Sequence, residues 1–192
     1  MAHLTDNELI RYCRQGDMDA FRELVERYQT KSIWIAYHMV GNYEEARDIS
    51  QEAFVRVYKS LSKFNLASNF YTWLYRIVVN LSIDFLRKQK YRTKPISIDD
   101  VGDIKSDDIS IRQYFDQKEL SQEIHEILNQ LPEQYRVILT LRDIEGFSCR
   151  EIEQIIECNH NTVRWRLFRA RQLFKKAWEQ HQDLLHRASD PY

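Results

Sequence analysis

Apolar residues recur at intervals of three and four along most of this 192-residue chain, which is the spacing of an amphipathic helix. One series starts at Phe21 and continues to Gly41, and the next begins after Asn42. No segment shows a convincing alternation of apolar and polar positions, which would indicate a half-buried strand. The pattern therefore predicts an all-α protein.

Helix starts carry polar signals as well. The strings TDNE (residues 5–8) and SCRE (residues 148–151) are capping boxes, in which a Ser or Thr and a Glu three positions later bind each other's backbone N–H. The string NYEE (residues 42–45) repeats this spacing with Asn42. Pro132 is expected to be the first residue of a helix that Gly146 closes.

The helical pattern fails between Thr93 and about Ile111, where the sequence contains five aspartates, one proline and one glycine. Such a composition is typical of a flexible acidic linker. We therefore predict two small helical domains, residues 1–92 and 116–185, joined by a linker at residues 93–115.

The composition excludes several classes of protein. The chain is 43% hydrophobic and 30% charged and has no apolar run of about 18 residues, so it is globular, with no direct membrane insertion expected. Its N-terminus lacks a secretory signal, and its three scattered cysteines fit a reducing, cytoplasmic location.

Candidate catalytic and metal-binding arrangements are equally weak. Cys149, Cys158 and His160 lie close in sequence, but their spacing matches no common zinc pattern. The histidines have no acid and nucleophile beside them, and there is no Gly-rich phosphate loop. We expect neither an enzyme nor a cofactor or metal.

The net charge of −1 hides an uneven distribution. Residues 63–94 carry seven Lys or Arg against one acid, and residues 95–123 carry eight acids against three bases. Residues 164–176 carry six bases and no acid. Two basic segments separated by an acidic one indicate two surfaces for a polyanion.

The C-terminal segment has the arrangement of a helix-turn-helix motif. A short helix after Ser148 is joined by the turn NHN (residues 159–161) to a basic helix expected to begin at Thr162. Apolar residues on one side of that helix leave most of its arginines facing outward, where they can bind guanine edges and phosphates. A solvated basic face on a bundle helix would explain the charge but not the caps and the turn length.

The segment SNFYTWLYRIVVN (residues 68–80) is rich in aromatic residues. One series has the spacing of a helix core: Phe70, Leu74, Ile77, Leu81 and Phe85. Trp73, Arg76 and Asn80 form a second stripe, and Tyr75 lies nearer a third side. Rings and amides suit unpaired bases, but from spacing alone nucleic-acid contact and partial burial are equally good interpretations.

Three segments in this order resemble bacterial RNA polymerase sigma factors of the small extracytoplasmic-function group. They are EEARDISQEAFVRVYKSLSKF, FYTWLYRIVVNLSIDFLRK and LPEQYRVILTLRDIEGFSCREIEQIIECNHNTVRWRLFRAR. The resemblance spans about residues 5–180 and implies that the two predicted domains are sigma domains 2 and 4. It further implies a promoter-specificity subunit whose partners are core RNA polymerase, promoter DNA and an anti-sigma factor.

The resemblance also implies three sets of site residues. The set expected to dock on the largest core subunit is Asp48, Gln51, Glu52 and Phe54. The set expected at the minus-ten promoter element is Phe64, Trp73, Tyr75, Arg76 and Asn80. The set expected at the minus-thirty-five element is Arg164, Trp165, Phe168, Arg169 and Arg171.

The chain departs from the pattern of the group at promoter-reading positions. The loop NLASN before Phe70, which helps to choose the flipped base, lacks the expected glycine and acid, and Trp165 stands where a small residue is typical. The promoter sequence therefore does not carry over. The alternative function is an autonomous helix-turn-helix regulator with an N-terminal sensing or dimerisation domain, and the basic helix disfavours a structural adaptor.

Overall fold

The computed structural model describes residues 4–92 and 122–189, and all regular structure within these two ranges is helical. The prediction of an all-α fold is confirmed. The chain divides into two compact units, the first holding the residues up to 92 and the second most of residues 122–189. The predicted linker, residues 93–115, lies outside the described residues, so the domain boundaries stay a prediction.

Between residues 4 and 92, the first unit contains four α-helices and one short 3-10 turn. The helices are α1 (Asp6–Arg14), α2 (Met18–Val40), α3 (Tyr43–Ser60) and α4 (Phe70–Arg92), and the 3-10 turn is Leu61–Lys63. Helix α2 packs against the other three helices and is therefore the centre of the unit. Its fully buried side chains include Leu24, Ile35 and Met39.

The predicted caps of this unit form. Thr5 and Glu8 make both hydrogen bonds of a capping box at the start of α1. Asn42 caps α3 by accepting the backbone N–H of Glu45 at 3.1 Å. Gly41 ends α2 in the left-handed conformation (φ 77°), which glycine adopts without a steric penalty.

A cluster of polar side chains fastens α1 to α2. The Tyr28 hydroxyl donates a hydrogen bond to Asp6, and Arg27 donates to Asp6 at 3.0 Å and to the Leu4 carbonyl at 2.5 Å. Burial, together with the hydrogen bond to Asp6, raises the pKa of Tyr28, so the hydroxyl keeps the proton that it donates. The start of α1 is thus held in a defined place.

Within residues 122–189, the second unit contains four α-helices, the long last one packed against two others. They are α5 (Gln122–Gln130), α6 (Glu133–Leu139), α7 (Cys149–Ile156) and α8 (His160–Ser189). Helices α5 and α6 both pack against α8. The fully buried side chains of the unit include Ile127, Ile138, Leu141 and Ile152.

Two helix boundaries in this unit differ from the prediction. Pro132 is the N-cap rather than the first helical residue, because its ψ of 140° is extended. Helix α8 starts at His160 instead of Thr162, because the Asn159 side chain caps it by accepting the Thr162 N–H at 2.9 Å.

The helix expected to run from Pro132 to Gly146 is not continuous either. It changes at Leu139 into a π-helical turn, Thr140–Ile144, in which the Glu145 N–H binds the Thr140 carbonyl five residues back, at 2.9 Å. Gly146 then leaves the helix with a φ of 76°. The turn matters for the site because it carries Asp143.

Candidate protein and nucleic-acid interfaces

Helix α3 presents a polar face on which three of the expected polymerase contacts are exposed: Asp48, Gln51 and Glu52. Phe54, the fourth, is only 6% exposed, so its expected place on this face is wrong. The reason is the helix period. Phe54 follows Ser50 by four residues and precedes Val57 by three, and both of these are buried.

Two side chains that the sequence analysis did not select lie on the exposed side of α3. Val55 is 44% and Tyr58 48% exposed. Val55 follows Gln51 by four residues and Asp48 by seven, so it shares their face, and this spacing could have identified it. The Tyr58 hydroxyl donates to the Met18 sulfur at 3.4 Å. An exposed apolar group amid polar ones is a common feature of protein interfaces.

Helix α4 is buried on more sides than its spacing predicted. Phe70 and Leu74 are core, as expected, whereas Ile77 is half-buried. Tyr75 is 2% exposed and packs edge-on against Tyr28 at 6.3 Å, so its expected surface position is wrong. The physical reason is that α2 covers the side of α4 that carries Tyr75 as well as the Phe70 side.

Phe64 is also buried, with 7% exposure, and does not itself present a surface to DNA. Its ring lies 4.8 Å from that of Trp73 and 5.9 Å from that of Phe70. The burial has a simple cause, since the turn after α3 brings Phe64 over the first turn of α4. Phe64 therefore supports the half-buried Trp73 ring from behind.

The stripe of Trp73, Arg76 and Asn80 is at least partly accessible on the first half of α4. Trp73 and Arg76 are half-buried and Asn80 is exposed. Trp73 and Arg76 line a concave surface together with residues of the loop before α4: Asn65, Ala67, Ser68 and Asn69. A supported indole, a guanidinium and amides along one groove can stack on and bind unpaired bases.

Helix α8 separates an inner from an outer face. Val163, Leu167 and Ala170 are buried. Four of the five side chains expected at DNA are exposed on the outside: Arg164, Trp165, Phe168 and Arg169. Trp165 and Phe168 are 59% and 63% exposed, which is unusual for large apolar groups and marks an interaction surface.

Arg171, the fifth, has a partner inside the unit. Its guanidinium donates two hydrogen bonds to the Asp143 carboxylate, at 3.0 and 2.5 Å, and this contact raises the pKa of Arg171. The pair joins α8 to the π-helical turn. Because Arg171 and Asp143 are 28 residues apart in sequence, no local pattern predicts their contact.

Other kinds of site find no support in the part of the chain that the structure describes. No group of His, Cys, Asp or Glu there could hold a metal ion. No helix among residues 4–92 and 122–189 is long and apolar enough to cross a membrane.

Comparison with known families finds two matches in chain order. The model of Sigma-70 region 2 matches residues 24–92, and that of Sigma-70, region 4 matches residues 121–174. The first match lies in the unit that carries the α3 and α4 surfaces, and the second contains α7 and the exposed face of α8.

Curated relatives match over nearly their whole length. The chain is 37% identical over 179 residues to the RNA polymerase sigma-H factor of Pseudomonas aeruginosa, covering 90% of this chain and 93% of the relative. It is 35% identical over 174 residues to the ECF RNA polymerase sigma factor SigW of Bacillus subtilis, covering 87% and 93%. For the ECF RNA polymerase sigma-E factor of Escherichia coli K12 the identity is 36% over 176 residues, covering 88% and 92%.

Solved structures share the fold at lower identity. CnrH, in complex with the cytosolic domain of CnrY, matches with a TM-score of 0.68 and 22% identity over 91% of this chain and 97% of that one. The sigma factor RpoE of Bartonella quintana, in complex with the anti-sigma factor NepR, matches with a TM-score of 0.65 and 21% identity over 83% and 96%.

The assignment of faces on α3 predicts that substitution of two neighbouring residues changes the stability of the fold by very different amounts. Phe54→Ala should lower the free energy of unfolding by about 3–5 kcal/mol because it removes a buried ring. Val55→Ala should change it by about 0.5 kcal/mol or less because the side chain is exposed. Urea unfolding followed by circular dichroism measures both, and equal losses would contradict the assignment.

Proposed function

The chain belongs to the extracytoplasmic-function (ECF) sigma factors of RNA polymerase, and on this premise we propose which of its surfaces bind the polymerase core and the promoter. It is a promoter-specificity subunit of RNA polymerase. The ordered match of both sigma-70 regions carries this conclusion, because an autonomous regulator would need a different N-terminal unit.

Several properties of the protein follow as proposals. It works in the cytoplasm, where the polymerase is, and has no enzymatic activity or cofactor of its own. An anti-sigma factor is the proposed inhibitory partner, since the RpoE relative of Bartonella quintana was solved with one. Such a partner would have to cover the polymerase-binding or DNA-binding surfaces.

Run-off transcription tests the function directly. Core polymerase without sigma factor is incubated with genomic promoter fragments, with and without this chain. New start sites should appear only when the chain is present. An autonomous regulator would instead alter transcription by a polymerase that already carries another sigma factor and would leave the core inactive.

We propose that Asp48, Gln51, Glu52 and Val55 form the docking face for the largest polymerase subunit. All four are exposed on α3. A helix face that combines charges with an apolar group is suited to bind another helix, because the charges steer the approach and the apolar group loses its water on binding. Phe54 has a different role, since it holds the face in place from the core.

Charge reversal on this face should weaken binding to the core. Asp48→Arg is expected to lower the affinity about tenfold, as for an interface residue of moderate importance, without changing the fold. Glu26→Arg, which makes the same charge change at an exposed position on α2, should have no effect. Titration of labelled core polymerase measures both affinities, and unchanged binding by Asp48→Arg would show that the docking face lies elsewhere.

At the minus-ten element, we propose that Trp73, Arg76 and Asn80 meet the melted strand. The indole is supported by Phe64 at 4.8 Å, so it offers a stable platform for a base. Stacking of a base on such a ring is worth about 1–3 kcal/mol, which offsets part of the cost of unpairing the base.

Asn80→Ala should therefore impair melting but not folding. Because Asn80 is exposed, stability should change by about 0.5 kcal/mol at most. Open-complex formation on a duplex promoter should fall, and the defect should shrink on a template mismatched across the minus-ten region. Permanganate footprinting of unpaired thymines measures both templates.

The exposed amide Gln29 on α2 offers a matched control, and Gln29→Ala should leave both templates unaffected. Equal defects of Asn80→Ala on the two templates would place Asn80 in strand capture rather than in melting. A loss of folding would remove it from the surface altogether.

We propose that the outer face of α8 reads the minus-thirty-five element in the major groove. Arg164 and Arg169 can bind guanine edges or phosphates, while Trp165 and Phe168 suit apolar contact with thymine methyl groups. Arg171 contributes by orienting α8 through Asp143 rather than by a base contact.

Trp165→Ser should change the preferred minus-thirty-five sequence with little effect on stability, because the indole is 59% exposed. Selection of bound duplexes from a pool with a randomised minus-thirty-five segment gives the preference. Leu184→Ser, at another exposed apolar position of the same helix, should leave it unchanged. An unchanged preference combined with lower stability would assign Trp165 to packing.

A further inference from the structure

The loop between α3 and α4 combines exposed side chains with a firmly held backbone. Most side chains between Leu61 and Phe70 are exposed, the buried exception being Phe64 and the half-buried one Leu66. The loop leads into Trp73 and lines the groove beside it. Loops of this kind present recognition groups, and their accuracy depends on what supports their backbone.

The support comes from α1, a helix distant in sequence. The Arg14 guanidinium donates from Nε to the Leu61 carbonyl at 3.1 Å and from Nη2 to the Phe64 carbonyl. The Asn7 amide donates to the Leu66 carbonyl at 3.1 Å. Three carbonyls within six residues of the loop are thus bound by two side chains of one helix.

The two donors act as a unit because of their spacing. Asn7 and Arg14 are seven residues apart, or about two turns, so both project from the same face of α1. The helix itself cannot shift easily. Leu9 and Ile10 on its inner face are fully buried, and Asp6 is held by side chains of α2.

Hydrogen bonds within the loop shape it but do not locate it. Asn65 accepts the Ala67 N–H at 3.0 Å through its side chain and the Ser68 N–H at 2.9 Å through its carbonyl. These bonds define a local turn. The bonds from α1, together with the packing of the Phe64 ring on Trp73 and Phe70, fix that turn relative to the rest of the unit.

We propose that Arg14 and Asn7 are positioning residues for promoter selectivity. They hold the backbone of the loop at residues 61–69 in the position in which the loop receives the flipped minus-ten base. The inference rests on the proposed function, since it assumes that this loop meets the minus-ten element. The two side chains bind backbone carbonyls, so they carry no base information themselves. They determine where the loop presents its own exposed groups, and a displaced loop discriminates less well between bases.

The test compares the intact chain with three variants, each assembled with core polymerase. Arg14→Gln removes the forked donor, Arg14→Lys keeps the charge and one donor, and Arg11→Gln is the matched control. Arg11 is exposed on the same helix, and its replacement by Gln removes the same charge as Arg14→Gln. Each holoenzyme selects promoters from a duplex pool with randomised minus-ten and minus-thirty-five segments, and the bound fraction is sequenced.

The proposal expects a loss of selectivity confined to one element. Arg14→Gln should lower the enrichment of the preferred base at the flipped minus-ten position about tenfold, as expected for losing hydrogen bonds that hold the loop. Its minus-thirty-five preference and its affinity for the core should stay unchanged. Arg14→Lys should restore part of the enrichment, and Arg11→Gln should match the wild type. Amide hydrogen exchange at residues 62–69 should rise most in Arg14→Gln and stay at the wild-type level in Arg11→Gln.

Two results would overturn the inference. Faster exchange in the loop with unchanged minus-ten enrichment would show that the position of the loop does not control selectivity. Equal losses at both promoter elements, or in core affinity, would mean that Arg14 only supports the fold. If the wild-type holoenzyme enriched no minus-ten sequence at all, the proposed function would fail first, so the two failures are distinguishable.

Discussion

Burial of one side of α4 against α2 is the interaction on which the first unit depends. Phe70 and Tyr75 both contact the ring of Tyr28, with centroids 5.5 and 6.3 Å apart. The contact fixes the rotation of α4 about its own axis. Once the rotation is fixed, Trp73, Arg76 and Asn80 must face away from α2, and Phe64 can close over Trp73. The groove beside α4 is therefore a consequence of core packing.

Tyr28 connects this packing to the start of the chain. Its ring packs on α4 while its hydroxyl binds Asp6 of α1, so one side chain joins three helices. The hydroxyl is kept protonated by burial and by its carboxylate partner. Helix α1 in turn binds the loop that precedes α4. The first unit thus holds both ends of its groove, the helix through aromatic packing and the loop through hydrogen bonds to its backbone.

In the second unit, one helix provides both the core contacts and the exposed surface. Helix α8 buries Val163 and Ala170 and exposes arginines and two aromatic rings on its other side. The Arg171–Asp143 pair joins it to the π-helical turn. Its side chains are 56% and 37% exposed, so water screens the pair and its share in stability is small. The pair instead fixes geometry, because two parallel hydrogen bonds set the direction of the Arg171 guanidinium.

The sequence by itself determined the helices, most of their caps and the order of the two units. These features depend on contacts within about four residues or on a repeating period, and both are visible along the chain. The capping boxes at Thr5 and Ser148 form as predicted. So do the outward position of Trp165 and the inner face of α8, because a helix with one apolar stripe has only one way to bury it.

Only the tertiary structure decided which aromatic side chains are buried and which charged side chains are paired within the protein. Tyr75 is buried because Tyr28 lies against it, and Arg171 is engaged because Asp143 lies beside it. Local patterns list the groups that can be buried or exposed. The choice between them depends on partners tens of residues away, which meet only when the core closes.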